Sequence, residues 1–138
     1  MFRFTVPGEP MGKGRPRVTK HGSYTPIETQ NYEALVKQMF SIRYPGNVPV
    51  RDVPLSVKIL AYFSVPTSAP VKRKQAMLEG VIRPTKRPDI DNIAKIITDA
   101  LNKIAYHDDA QIVEILVEKY YSLTPRVEIW IERWSVGD

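Results

Sequence analysis

Four aspartates and a lysine are grouped in one segment of an otherwise basic chain: Asp89 and Asp91 one residue apart, Lys95 a helical turn later, and Asp108 beside Asp109. Carboxylate oxygens select a hard divalent cation, Mg²⁺ or Mn²⁺ in its place. Such an ion activates a water for in-line attack on phosphorus. Lys95 accepts no hydrogen bond; its use beside an ion is to stabilise charge developing on a phosphoryl or leaving oxygen. A purely structural account covers the same residues. Aspartate at a helix start complements the helix dipole by about 0.3–1 kcal/mol. Asp91, Lys95 and Asp99 form i,i+4 pairs worth roughly 0.2–0.5 kcal/mol each, and an Asp-Asp pair after a helix is ordinary turn chemistry. Against that account, like charges held close are costly unless a cation joins them.

The element that positions these residues is an amphipathic helix. Ile93, Ile96, Ile97, Ala100, Leu101 and Ile104 recur at helical spacing and form a core-facing stripe. Asp91 and Lys95 project from the opposite side, so neither is required by the core. Pro88 biases Arg87 away from helical angles and leaves Asp89 or Asp91 as the N-cap. A helix from Asp91 to Ile104 rises about 20 Å, whereas the link on to Asp109 spans at most about 17 Å. Asp109 rejoins Asp91 only if that link doubles back nearly straight. The alternative, and the expectation adopted, is a site completed across a dimer.

The chain of 138 residues predicts a single domain over 1–138, with 43% hydrophobic and 25% charged residues as in an ordinary soluble globule. The absence of cysteine excludes disulfides, thiolate metal sites and a Cys nucleophile, and fits a reducing, cytoplasmic setting. Twenty Lys+Arg against fifteen Asp+Glu give a net charge of +5, which suits a polyanionic partner. The cations are clustered. Lys13, Arg15, Arg17 and Lys20 fall in one acid-free run; Arg83, Lys86 and Arg87 fall in another that leads directly into Asp89. Cations that gather a phosphate backbone, followed by carboxylates that hold a metal, are what phosphodiester cleavage needs.

No apolar run approaches the ~18–20 residues of a membrane span. Met1 to Val6 alternates and reads as a strand, not a signal peptide. The loop from Gly8 to Arg17 holds its cations outward but lacks a Gly-Lys-Ser/Thr ending, so no nucleotide cofactor is expected. A helix follows from Pro26 to about Tyr44, with Tyr32, Leu35, Val36, Met39 and Phe40 inward. Leu55 to Val65 alternates as a strand. A short helix, Val71 to Leu78, is opened by Ser68-Ala69-Pro70 and closed by Gly80, and its Lys72-Arg73-Lys74 reads as solubilising charge. Gln111–Tyr121 and Arg126–Trp134, joined by Leu123-Thr124-Pro125, suggest a closing hairpin. The order β-α-β-α-α-β-β predicts an α+β domain, a small mixed sheet packed with amphipathic helices. His107 is a candidate ligand or base; a lone loop histidine such as His107 or His21 is more often solvated.

The stretch Arg87-Pro88-Asp89-Ile90-Asp91-Asn92-Ile93-x-Lys95, then Asp99-Ala100-Leu101-Asn102, then Tyr106-x-Asp108-Asp109-x-Gln111 resembles the signature of the RusA family of Holliday junction resolvases. Gly12-Lys13-Gly14-Arg15-Pro16-Arg17 is also similar to the N-terminal loop of many members. The resemblance implies a RusA-like fold and a homodimeric, magnesium-dependent endonuclease that nicks opposing strands of a four-way DNA junction, in recombination and repair and often in a prophage setting. It implies that Asp89, Asp91 and Asp109 hold the metal with Asp108 in support, that Lys95 is catalytic, and that the two basic runs grip flanking phosphates. Two rivals stand beside it: a nuclease of the same chemistry acting on flaps or other branches, and a non-catalytic DNA-binding protein whose aspartates are only caps.

Overall fold

The computed structural model describes residues 1–137, and no helix among them is long and apolar enough to cross a membrane. Strand β1 (Phe2–Pro7) is followed by two three-residue strands, β2 (Arg17–Thr19) and β3 (Gly22–Tyr24), then helix α1 (Ile27–Arg43) and the long strand β4 (Leu55–Ser64). Helices α2 (Val71–Leu78) and α3 (Ile90–Leu101) precede β5 (Ile112–Ser122) and β6 (Arg126–Arg133). The α+β class and the sequence of major elements match the expectation. The β2–β3 ribbon was not anticipated, because its strands are fully exposed and carry no apolar alternation.

The main sheet has the order β1-β6-β4-β5, with β4 parallel to β5 and antiparallel to β6. This overturns the expected β5–β6 hairpin: β4 lies between them, and Leu123–Pro125 passes over the end of β4 instead of reversing between neighbours. Strand alternation decides the buried face. Phe2, Phe4 and Val6 of β1, Leu55 to Phe63 at every second position of β4, and Val127, Ile129 and Ile131 of β6 join one core. Helix α1 contributes Tyr32, Val36 and Phe40, and α3 contributes the whole stripe from Ile93 to Leu101. Ile104 lies beyond the end of α3 and is half-buried. Leu35 and Met39 are also only partly buried. With its apolar side fully covered, α3 presents Asp91, Lys95 and Asp99 outward without cost to the core.

Candidate active site and nucleic-acid groove

Asp89 is the N-cap of α3, with extended backbone angles and a carbonyl that accepts Ile93 N–H at 3.0 Å. Its side chain makes no capping hydrogen bond. The capping account therefore explains the position of Asp89 but leaves its carboxylate unused. Asp91, in the first turn, likewise has no ion pair within 4.0 Å among the described residues, and the expected pair with Lys95 is absent; Lys95 Nζ instead meets Asp99 Oδ2 at 3.6 Å. Residues two apart on a helix are separated by about 200°. Accordingly Asp89 opens on a groove shared with Lys13, Arg15, Arg87 and Asn92, while Asp91 opens on an adjoining pocket shared with Lys95, Asp99 and Asp109.

Asp109 reaches that pocket within one chain. Helix α3 stops at Leu101, whose carbonyl accepts both Ile104 N–H and Ala105 N–H at 3.0 Å, and Lys103 takes a left-handed φ of 70°. Tyr106, buried against α3, donates its hydroxyl to the Thr98 carbonyl at 2.6 Å. The return continues with Asp109 N–H on Asn102 Oδ1 at 3.1 Å. The chain thus doubles back beside the helix, so Asp109 needs no second copy to share a wall with Asp91; the longer helix assumed from sequence had set the endpoints too far apart.

The two adjacent acids differ. Asp108 Oδ1 accepts Ala110 N–H at 3.1 Å, and Gln111 Oε1 accepts Asp108 N–H at 2.9 Å, a reciprocal cap on the single 3-10 turn Asp109–Gln111. The Ala110 bond, followed by a hydrogen bond from Asp109, holds the Asp108 carboxyl below the usual carboxylate range. Asp109 is pushed above it, first by burial and then by Asp108 and the charge of Asp99, with Lys95 opposing. Asp108, expected as a supporting ligand, is engaged in shaping the turn.

On the other flank, the loop before β2 is fastened to both helices. Lys13 N–H donates to the Asn92 carbonyl at 3.0 Å and Gly14 N–H to Thr29 Oγ1 at 3.1 Å. A Cβ on Gly12 would stand 2.9 Å from Pro88 Cβ, so glycine is required by the close approach to the segment entering α3. Lys13 Nζ bridges Glu33 of α1 at 3.1 Å and Asp99 of α3 at 3.3 Å. Burial pulls its pKa down, but those two acids outweigh it and the ammonium is held above its ordinary value. Lys13 therefore ties the helices together instead of standing outward as expected.

Of the remaining predicted cations, Arg15 and Arg87 line the groove with Asp89, and Arg17 and Lys20 lie on the exposed ribbon. Arg83 and Lys86 run along β5: Arg83 Nε donates to the Lys119 carbonyl, and the Lys86 carbonyl accepts from Lys119 Nζ. Among the described residues, no three His, Cys, Asp or Glu side chains are gathered closely enough to hold an ion as they stand. His107 joins Asp108 in lining a separate pocket, away from Asp91 and Asp109. Sequence reasoning missed Glu33 and Lys119, and placed Tyr106 in the motif without a structural role. Of these, Lys119 left a signal: with Val117 and Tyr121 it occupies the face of β5 that alternation assigns to the interior.

An acid-bearing helix beside a basic groove, on an α+β scaffold, defines the class as one suited to phosphodiester chemistry. Residues 7–132 match the family described as Endodeoxyribonuclease RusA, and the chain belongs to that family, which makes it a nuclease by class. It is 36% identical over 138 residues to uncharacterized protein YqaN of Bacillus subtilis (strain 168), covering 97% of each chain. It is also 29% identical over 104 residues to the crossover junction endodeoxyribonuclease rusA of Lactococcus phage r1t, covering 75% of this chain and 71% of that one.

Proposed function

We propose that this protein is a Mg²⁺-dependent, structure-specific endodeoxyribonuclease that resolves four-way DNA junctions by paired symmetric nicks. The observation that carries the reading is the shared wall of Asp91, Lys95 and Asp109, set next to a groove where Asp89 meets Arg15 and Arg87. Family membership and the crossover-junction activity for which the phage relative is named support it.

The donor set fits a hard divalent ion. The carboxylates of Asp89 and Asp91 are uncommitted, and the crowding of Asp108 and Asp99 around Asp109 is relieved by added positive charge. Asp89, Asp91 and Asp109 would hold the ion. Once bound, it supplies a Lewis acid for the phosphoryl oxygen and water activation near neutral pH. The chain supplies the rest. Lys95 is 61% exposed and, among the described residues, restrained only by Asp99, so its ammonium is free to swing onto a phosphoryl or leaving oxygen. Arg15 and Arg87 grip flanking phosphates and set the register of the strand. A two-fold homodimer presents two such sites to the two cleavage points of a symmetric junction.

Purified protein incubated with Mg²⁺ and synthetic four-way, three-way, flapped and linear DNA tests the reading. Symmetric nicks confined to the four-way junction are expected, with Asp91→Asn binding but not cutting. Equal cutting of flaps makes it a general branch nuclease. Tight binding without nicks at any metal concentration removes the enzyme altogether.

A further inference from the structure

The segment that delivers Asp89 to the site has no regular structure between α2 and α3, yet it is fastened along the edge strand β5. The fastening is reciprocal. Arg83 Nε donates to the backbone carbonyl of Lys119, its guanidinium lies 3.7 Å from the centre of the Tyr120 ring, and it faces Glu118 Oε2 at 3.5 Å. In return Lys119 Nζ donates to the backbone carbonyl of Lys86, three residues before Asp89. The Lys119 side chain approaches this bond across the Phe63 ring, 5.1 Å from its centre.

A half-buried ammonium whose visible acceptor is a neutral carbonyl is an uneconomical way to anchor a loop, since a neutral donor would serve. Partial burial holds the Lys119 pKa below the usual lysine value; the Asp89 charge opposes that fall and the Lys86 charge adds to it. The field of Asp89 is thus felt at Lys119, which gives a positive charge a purpose there. We propose that Lys119 is a positioning residue for the nuclease site: it fixes the approach segment through the Lys86 carbonyl and so orients the Asp89 carboxylate toward the metal. This inference rests on the reading of Asp89 as a ligand.

The test uses the full chain with Lys119→Met and Lys119→Arg. Three quantities are compared with the parent: backbone amide exchange over residues 85–92, the Kd for Mn²⁺ from water proton relaxation, and the Mg²⁺ concentration for half-maximal cleavage. Lys119→Met is expected to lose exchange protection confined to 85–92 and to weaken Mn²⁺ binding by about tenfold, the usual cost of losing a residue that orients a ligand. Cleavage should then need more Mg²⁺, and Lys119→Arg should restore most of each quantity. Faster exchange with an unchanged Mn²⁺ Kd reduces Lys119 to a loop anchor and overturns the proposal; unchanged exchange overturns it too. If circular dichroism shows Lys119→Met to be unfolded, Lys119→Gln carries the same expectations. A parent chain that neither binds Mn²⁺ nor cuts DNA defeats the metal reading instead, and the proposal with it, while the exchange data still report whether Lys119 holds the segment.

Discussion

The two ends of α3 carry their acids under opposite conditions. At the N-terminal end, Asp89 caps by its backbone alone, and neither Asp89 nor Asp91 has a side-chain partner within 4.0 Å among the described residues. At the C-terminal end, Asp99 is held by both Lys13 and Lys95, Asp108 caps a turn, and Asp109 is fastened through its N–H to Asn102. One end is kept available and the other is built. The contrast separates carboxylates that the fold consumes, Asp99 and Asp108, from those it leaves to a ligand, Asp89 and Asp91; Asp109 is fixed by its backbone while its side chain shares the Asp91 pocket.

Substitutions at the two ends should therefore fail differently. The largest effect is expected of Asp91→Asn. It should lower the cleavage rate on the order of 10³-fold, about 4 kcal/mol of barrier, yet leave urea-unfolding stability within about 0.5 kcal/mol. A large stability loss would show that Asp91 is structural after all. Lys13→Met should do the reverse at the built end, costing about 1–3 kcal/mol of stability because Glu33 and Asp99 lose a half-buried partner. Asp108→Ala should lower stability by less than Lys13→Met, through loss of the cap on Ala110 N–H, measured by the same denaturation.

The smallest effect is a displacement in pH. On the proposed mechanism cleavage needs ionised Asp109, so activity should fall as pH drops through its pKa, which stands above the ordinary carboxylate value. Asp108→Asn keeps an acceptor for Ala110 N–H but removes the neighbouring charge. The acid limb of the pH–rate profile should then move to lower pH. A limb that does not move would mean that Asp109 does not govern it.

What the sequence disclosed was local. The stripe from Ile93 to Leu101 is a short-range pattern, and every member of it is buried. The same holds for the alternation of β1 and β4 and for the bounds of α2, closed by Gly80 at a φ of 81°. What it concealed was pairing between distant segments. Nothing in Leu123-Thr124-Pro125 distinguishes a hairpin turn from a step across an intervening strand, so the place of β4 went unseen. Lys13 read as an outward, phosphate-gripping cation because its two acids come from α1 and α3. The acids of the candidate site were found by residue type and spacing, but their facing directions depend on where α3 stops, which the pattern through Ile104 overstated by three residues.

The parallel pairing of β4 with β5 bears on the order in which the candidate site is assembled. Every residue from Asp89 to Lys119 lies in the connection between those strands or on β5 itself, and β5 forms the edge of the sheet beside β4. Parallel contacts across so long a connection are among the slower ones to close. Lys119, carried on β5, reaches the Lys86 carbonyl only once that edge has closed, whereas the return that brings Asp109 to α3 is fastened locally, by Tyr106 on Thr98 and Asp109 on Asn102.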